Sequence, residues 1–97
     1  MPRKLKVVHK YDLPMHGFVT HRLPDGFEVI HVETQAGSPR VWLHVPEGTK
    51  PAVQVRFRII MTGEAIDLNE YTHIGTFMLG DGAYVAHAYQ EKEWRVL

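Results

Sequence analysis

Cysteine is missing altogether from the 97 residues. Disulfides, thiolate metal sites and cysteine nucleophiles are thereby excluded, and a reducing compartment is compatible with the chain. Charge of one sign is missing as well, because eleven basic residues balance eleven acidic ones. No global field draws such a chain to nucleic acid or a membrane surface, so an anion site has to come from local arrangement. Nucleic acid is accordingly disfavoured as a partner. Nothing approaches the ~18 consecutive apolar residues of a membrane span, and the basic start has no apolar stretch behind it. The expectation is action in a cytoplasm, with no membrane partner. Ser38 is the only serine; it precedes a proline and lacks the Gly-x-Ser-x-Gly setting of a nucleophile. Neither glycine-rich stretch opens a helix, so a phosphate loop fails too.

A sustained period of 3.6 is the last absence. What stands in its place is a period of two. Residues 5–13 and 17–23 read as strands, separated at Pro14, and Pro24-Asp25-Gly26 is a strong turn signal. Phe27, Val29, His31 and Glu33 then alternate with Glu28, Ile30, Val32 and Thr34. In residues 40–45, Val41, Leu43 and Val45 point one way and Arg40, Trp42 and His44 the other. The clearest alternation follows: Val53, Val55, Phe57, Ile59 and Met61 against Gln54, Arg56, Arg58 and Ile60. Residues 64–70 are the only stretch suited to a short helical turn. The pattern predicts a single all-β domain over residues 1–97, an antiparallel sandwich or partly open barrel of six or seven strands. Residues 1–4 and 91–97 read as extended tails.

Residues 71–89 hold two β-like runs joined by Gly80-Asp81-Gly82. A three-residue loop there would set Leu79 opposite Ala83, Phe77 opposite Val85 and Gly75 opposite His87. Phe77, Leu79, Ala83 and Val85 would then share one face, and Ile74, Met78, Tyr84, Ala86 and Ala88 the other. Both faces look apolar. A hairpin in a lone small domain should have one wet face, so Ile74, Met78 and Tyr84, with His87 and the tail's Trp94, are the candidate interface of a homo-oligomer.

Seven histidines are scattered along the chain, and no pair has the His-x3-His spacing of a metal site. His31, His44 and His87 could meet only if their strands are neighbours, and no metal, cofactor or catalytic residue is expected. One surface has recognition character. If the strands carrying Arg40, Trp42, His44 and Arg56, Arg58 pair, three guanidiniums, an indole and an imidazole share one face. Arginine forks hold phosphate or carboxylate, and an indole offers a stacking plane. These five are the candidate ligand-binding residues for a small anion.

The order of several short motifs carries a resemblance. His9-Lys10-Tyr11-Asp12-Leu13-Pro14 is followed by Leu23-Pro24-Asp25-Gly26, Val32 and Gln35-Ala36-Gly37. Trp42, Val45, Phe57-Arg58-Ile59 and Thr62-Gly63 come next, then residues 71–79 and Val85-Ala86-His87-Ala88-Tyr89. This resembles a family of small, functionally uncharacterised proteins encoded by phages and prophages, over about residues 8–90. Where a histidine often follows the Thr-Gly pair in such sequences, this chain has Glu64. The resemblance implies a phage accessory origin, a host cytoplasm as location, and no catalytic residues. Two functions follow as expectations. One is a non-enzymatic binding protein that blocks a host protein or sequesters a small anionic ligand, blunting a host defence. The other is a structural or assembly component of the phage particle.

Overall fold

The computed structural model describes residues 4–97 and contains eight strands and no helix among them. They are β1 (Lys6–Asp12), β2 (Gly17–Pro24), β3 (Glu28–Gln35), β4 (Ser38–Pro46), β5 (Pro51–Met61), β6 (Tyr71–Leu79), β7 (Tyr84–Glu91) and β8 (Arg95–Val96). Two antiparallel sheets result, one ordered β1-β4-β3 and the other β2-β5-β7-β6, with β8 also on β5. The expected all-β architecture is what the chain adopts. Residues 64–70 form turns, in which the Asp67 carbonyl accepts from the Glu70 and Tyr71 N–H groups and its carboxylate from that of Asn69.

The alternation in the sequence builds the core directly. Val41, Leu43 and Val45 from β4 and Val53, Val55, Phe57 and Ile59 from β5 are each at most 3% exposed. They meet Leu23, Phe77, Leu79, Ala86 and Ala88 between the sheets. On one flank β3 lies against β6, where the Thr34 hydroxyl donates to the Met78 carbonyl at 2.7 Å. On the other flank Tyr11 of β1 meets His21 of β2, ring centroids 5.2 Å apart, and His21 Nε2 donates to the Asp12 carbonyl at 2.6 Å. The body is longer than a compact chain of this size, which would have a radius of gyration of about 12–13 Å. The observed value is 14.1 Å, with extents of 50 × 29 × 18 Å.

Four expectations are corrected here. First, the loop between β6 and β7 has four residues, since Leu79 pairs with Tyr84, Phe77 with Ala86 and Thr76 with His87. Gly80, Asp81 and Gly82 all have positive φ, and the Ala83 N–H returns to the Gly80 carbonyl. One added residue exchanges the faces of β7, so Ala86 and Ala88 enter the core while Val85, His87 and Tyr89 point outward. Second, strict alternation fails at three register shifts, one of them between Leu23 and Pro24 against β5. β-Bulges between Val29 and His31 and between His73 and Gly75 place residues three apart on one face. Val29 and Val32 both turn inward as a result, and His73 and Thr76 both turn outward.

Third, β4 and β5 do not pair; they lie in different sheets. Fourth, the C-terminal residues are not a free tail. β7 leaves β5 after Gln90, and the chain returns as β8 to pair Val53 with Val96 and Gln54 with Arg95. Trp94 packs on Phe27 of its own chain, centroids 5.1 Å apart, and stays 39% exposed. Residues 1–3 of the other expected tail lie outside the described residues.

Candidate functional site

Placing β4 and β5 in opposite sheets separates the five candidate ligand residues. Arg40, Trp42 and His44 stand on the outer face of the three-stranded sheet. Their neighbours there are already engaged: Arg40 Nη1 is 3.0 Å from Asp12, His44 3.9 Å from Glu28, and the Trp42 ring 5.6 Å from His31. Lys10 reaches over β4 to donate to Gln35 at 2.7 Å. The Arg40 Nε is buried without a partner, held by the ion pair at the fork's far end. This face is closed on itself.

Arg56 and Arg58 stand on the outer face of the five-stranded sheet, in different company. Pairing places Phe18, Arg58, Tyr89 and His73 in one row across β2, β5, β7 and β6. Arg56 lies two residues along, about 7 Å away at strand rise, with its guanidinium 4.8 Å from the centre of the exposed Phe18 ring. Among the described residues neither guanidinium has a carboxylate within ion-pair distance. The gap left between β7 and β8 is filled by the Glu91 carboxylate, which accepts the Arg56 backbone N–H at 2.8 Å. Two shallow grooves open beside that gap, of ≈ 410 and ≈ 310 Å³, and both are lined by Arg56, Glu91 and Glu93.

The neighbouring row holds Ile60, His87 and Thr76. His87 is half-buried and bonded on both ring nitrogens: Nε2 lies 2.8 Å from the Thr62 hydroxyl and Nδ1 3.1 Å from that of Thr76. Thr76 in turn lies 3.0 Å from His73 Nε2, and the Tyr89 ring meets His73 edge-on at 5.2 Å. The result is a continuous chain, Thr62–His87–Thr76–His73. The bulge at Ile74 makes it possible, because residues three apart in a regular strand face opposite sides.

Glu64 closes the corner. Its carboxylate accepts the Met61 N–H at 2.8 Å and lies 2.7 Å from His16 Nε2. The Met61 bond first, then the His16 bond and the nearby charges of His16 and Arg58, hold this carboxyl below the usual range.

Of the expected interface residues, Ile74 packs against the core, His87 belongs to the polar chain and Trp94 lies on Phe27. Only Met78 and Tyr84 remain widely exposed, both at 64%. The outer face of the hairpin is therefore mixed, not apolar. His31 and His44 lie on the opposite sheet from His87, so that triad does not form; the pair that meets is His73 and His87, centroids 6.4 Å apart. No group of three metal-ligating side chains converges among the described residues.

Sequence reasoning missed Phe18, Thr62, His73, Thr76 and Tyr89. Their signal was the pairing of β5 with β2 and β7, which a single strand's alternation does not carry. No helix among the described residues is long and apolar enough to cross a membrane. Neither a curated protein nor a solved structure matches the chain. A family model described as a domain of unknown function (DUF7352) matches residues 5–96, and the chain belongs to that family.

Proposed function

We propose that this protein is a non-enzymatic binding domain that takes up a small anionic ligand on the outer face of its five-stranded sheet. The observation that carries the reading is the row Phe18–Arg58–Tyr89–His73. In it Arg58, half-buried and with no carboxylate in ion-pair range among the described residues, is paired across the sheet with Phe18 on one side and Tyr89 on the other. Guanidinium forks bind phosphate and carboxylate in a fixed geometry, and flanking rings exclude water and stack on flat groups. Arg56 extends the same face two residues along β5, beside two grooves that Glu91 and Glu93 also line.

Binding is favoured over catalysis because, among the described residues, the threonine–imidazole pairs at Thr62 and Thr76 lack a carboxylate behind the imidazole. In addition, the Thr62 N–H is spent on the Val85 carbonyl. In the phage setting that the sequence resemblance suggests, holding such a ligand would withdraw a small signal from a host defence.

Isothermal titration with AMP, ribose 5-phosphate and adenosine tests the reading. The two phosphates bind and adenosine alone does not, and Arg58→Ala weakens the phosphates by about tenfold or more, the scale of one charge-assisted contact. Phosphate binding that survives in Arg56→Ala/Arg58→Ala, or no binding in the wild type, overturns it.

A further inference from the structure

The chain Thr62–His87–Thr76–His73 has a property that follows from counting its hydrogens. Each hydroxyl can donate once, and each neutral imidazole has one N–H and one bare nitrogen. Three arrangements satisfy all three internal bonds; in one of them both imidazoles donate to Thr76, whose own O–H points elsewhere, and the other two run the chain in a single direction. In the first of those two, Thr62 donates to His87 Nε2, His87 Nδ1–H donates to Thr76, and Thr76 donates to His73 Nε2; His73 then shows Nδ1–H to solvent. In the second every bond is reversed. His73 Nε2–H donates to Thr76, Thr76 to His87 Nδ1, and His87 Nε2–H to Thr62, whose own O–H is left free. In that second arrangement His73 Nδ1 is bare and can accept a proton with no internal bond lost.

His73 is exposed on the edge strand, in the same row as Arg58 and separated from it by Tyr89 alone. Two strand spacings, about 9.6 Å, lie between their Cα atoms, a gap that one tetrahedral anion over Tyr89 closes with an arginine reaching toward it.

We infer that His73 is the second anchor for the ligand's oxyanion and binds it as an imidazolium, so that a phosphate-type dianion is taken up together with one proton. The inference rests on the anion-binding reading above and adds to it a residue, a ligand class and a proton. The groups around His73 are Thr76 on its own strand, Tyr89 and His87 on β7, and Arg58 on β5; on the packed strand β3, His31 and Glu33 line a groove with Thr76. Among the described residues no carboxylate lies within ion-pair distance of its ring. Glu64, at the far corner, is occupied by His16 and the Met61 N–H. A positive charge on His73 therefore meets no internal counter-ion and is left for the ligand, beside a second positive charge from Arg58. That arrangement suits two negative charges better than one.

Sulfate is the probe that isolates the protein's proton, because its own charge stays fixed across the imidazole range. Calorimetric titration in two buffers of different ionisation enthalpy gives the protons taken up. The wild type takes up about half a proton near the imidazole midpoint, and affinity rises roughly tenfold from about pH 8 to about pH 6. His73→Gln keeps a neutral donor at the same place but cannot charge; it binds sulfate with no proton uptake and a flat profile. Thr76→Val breaks the chain and lowers the uptake. Sulfate bound by the wild type without proton uptake, or with the same uptake in His73→Gln, overturns this inference and leaves the Arg58 reading standing. No sulfate binding at either pH, together with no AMP binding, overturns both.

Discussion

Glu64 shows how much one side chain can do without being buried. Its carboxylate caps the Met61 N–H as β5 ends and pairs with His16 across the sheet corner, tying the β1–β2 connection to residues 62–64. The folded state holds its pKa below the ordinary value. A depressed carboxyl pKa contributes stability above the unfolded value and loses it as pH falls through the folded one. Glu64→Gln should therefore be less stable than wild type at neutral pH. The difference should disappear as the pH drops well below about 4, where the Glu64 carboxyl is protonated in both the folded and the unfolded state. Chemical denaturation across that range checks it, and a difference that persists in acid would assign the effect to packing. Glu64→His would be a poorer acceptor for the Met61 N–H.

Among the elements, the two bulged edge strands decide most. The bulge in β3 turns Val32 inward, and the bulge in β6 sets Gly75 against it. A Cβ on Gly75 would come within 2.8 Å of the Val32 Cβ, so glycine is needed there for close approach of the two strands. Gly75→Ala should cost roughly 1–3 kcal/mol by overpacking. Val32→Gly, which removes that Cβ, should cost stability alone yet recover part of the loss in the double variant, a coupling that a denaturation cycle reads directly. Additive losses would mean that the strands part easily at this edge.

The strands themselves were legible from alternation, since β5 and β4 show their inward residues without interruption. The bulges were not, because one extra residue leaves composition unchanged and reveals itself only through the partner strand. The hairpin loop was misjudged for the same reason. Gly80-Asp81-Gly82 supplies the positive φ angles, but pairing at Ala86 decides that Ala83 joins the loop.

For the molecule as a whole, the sandwich gives Trp42 and Arg58 opposite sides. Ligand bound only by the folded protein at about ten times its dissociation constant stabilises by about 1.4 kcal/mol. For a domain of this size that is roughly 6–11 °C in Tm. AMP should produce such a shift in the wild type and the same shift in Trp42→Ala, whose face is turned away. Loss of the shift in Trp42→Ala would move the site to the three-stranded sheet.

The sequence alone determined which residues of β4 and β5 alternate and which of their faces is apolar, where proline and glycine turn the chain, and that no thiol chemistry is available. Those are local properties, set by side-chain type and the two-residue period. The tertiary structure alone decided which strands are neighbours. That choice sent Arg40, Trp42 and His44 to one side and Arg56 and Arg58 to the other, returned Trp94 to its own chain, and joined His73 to His87 through Thr76. Strand pairing is settled by burying all the apolar faces at once, a condition on the whole molecule that no single segment contains.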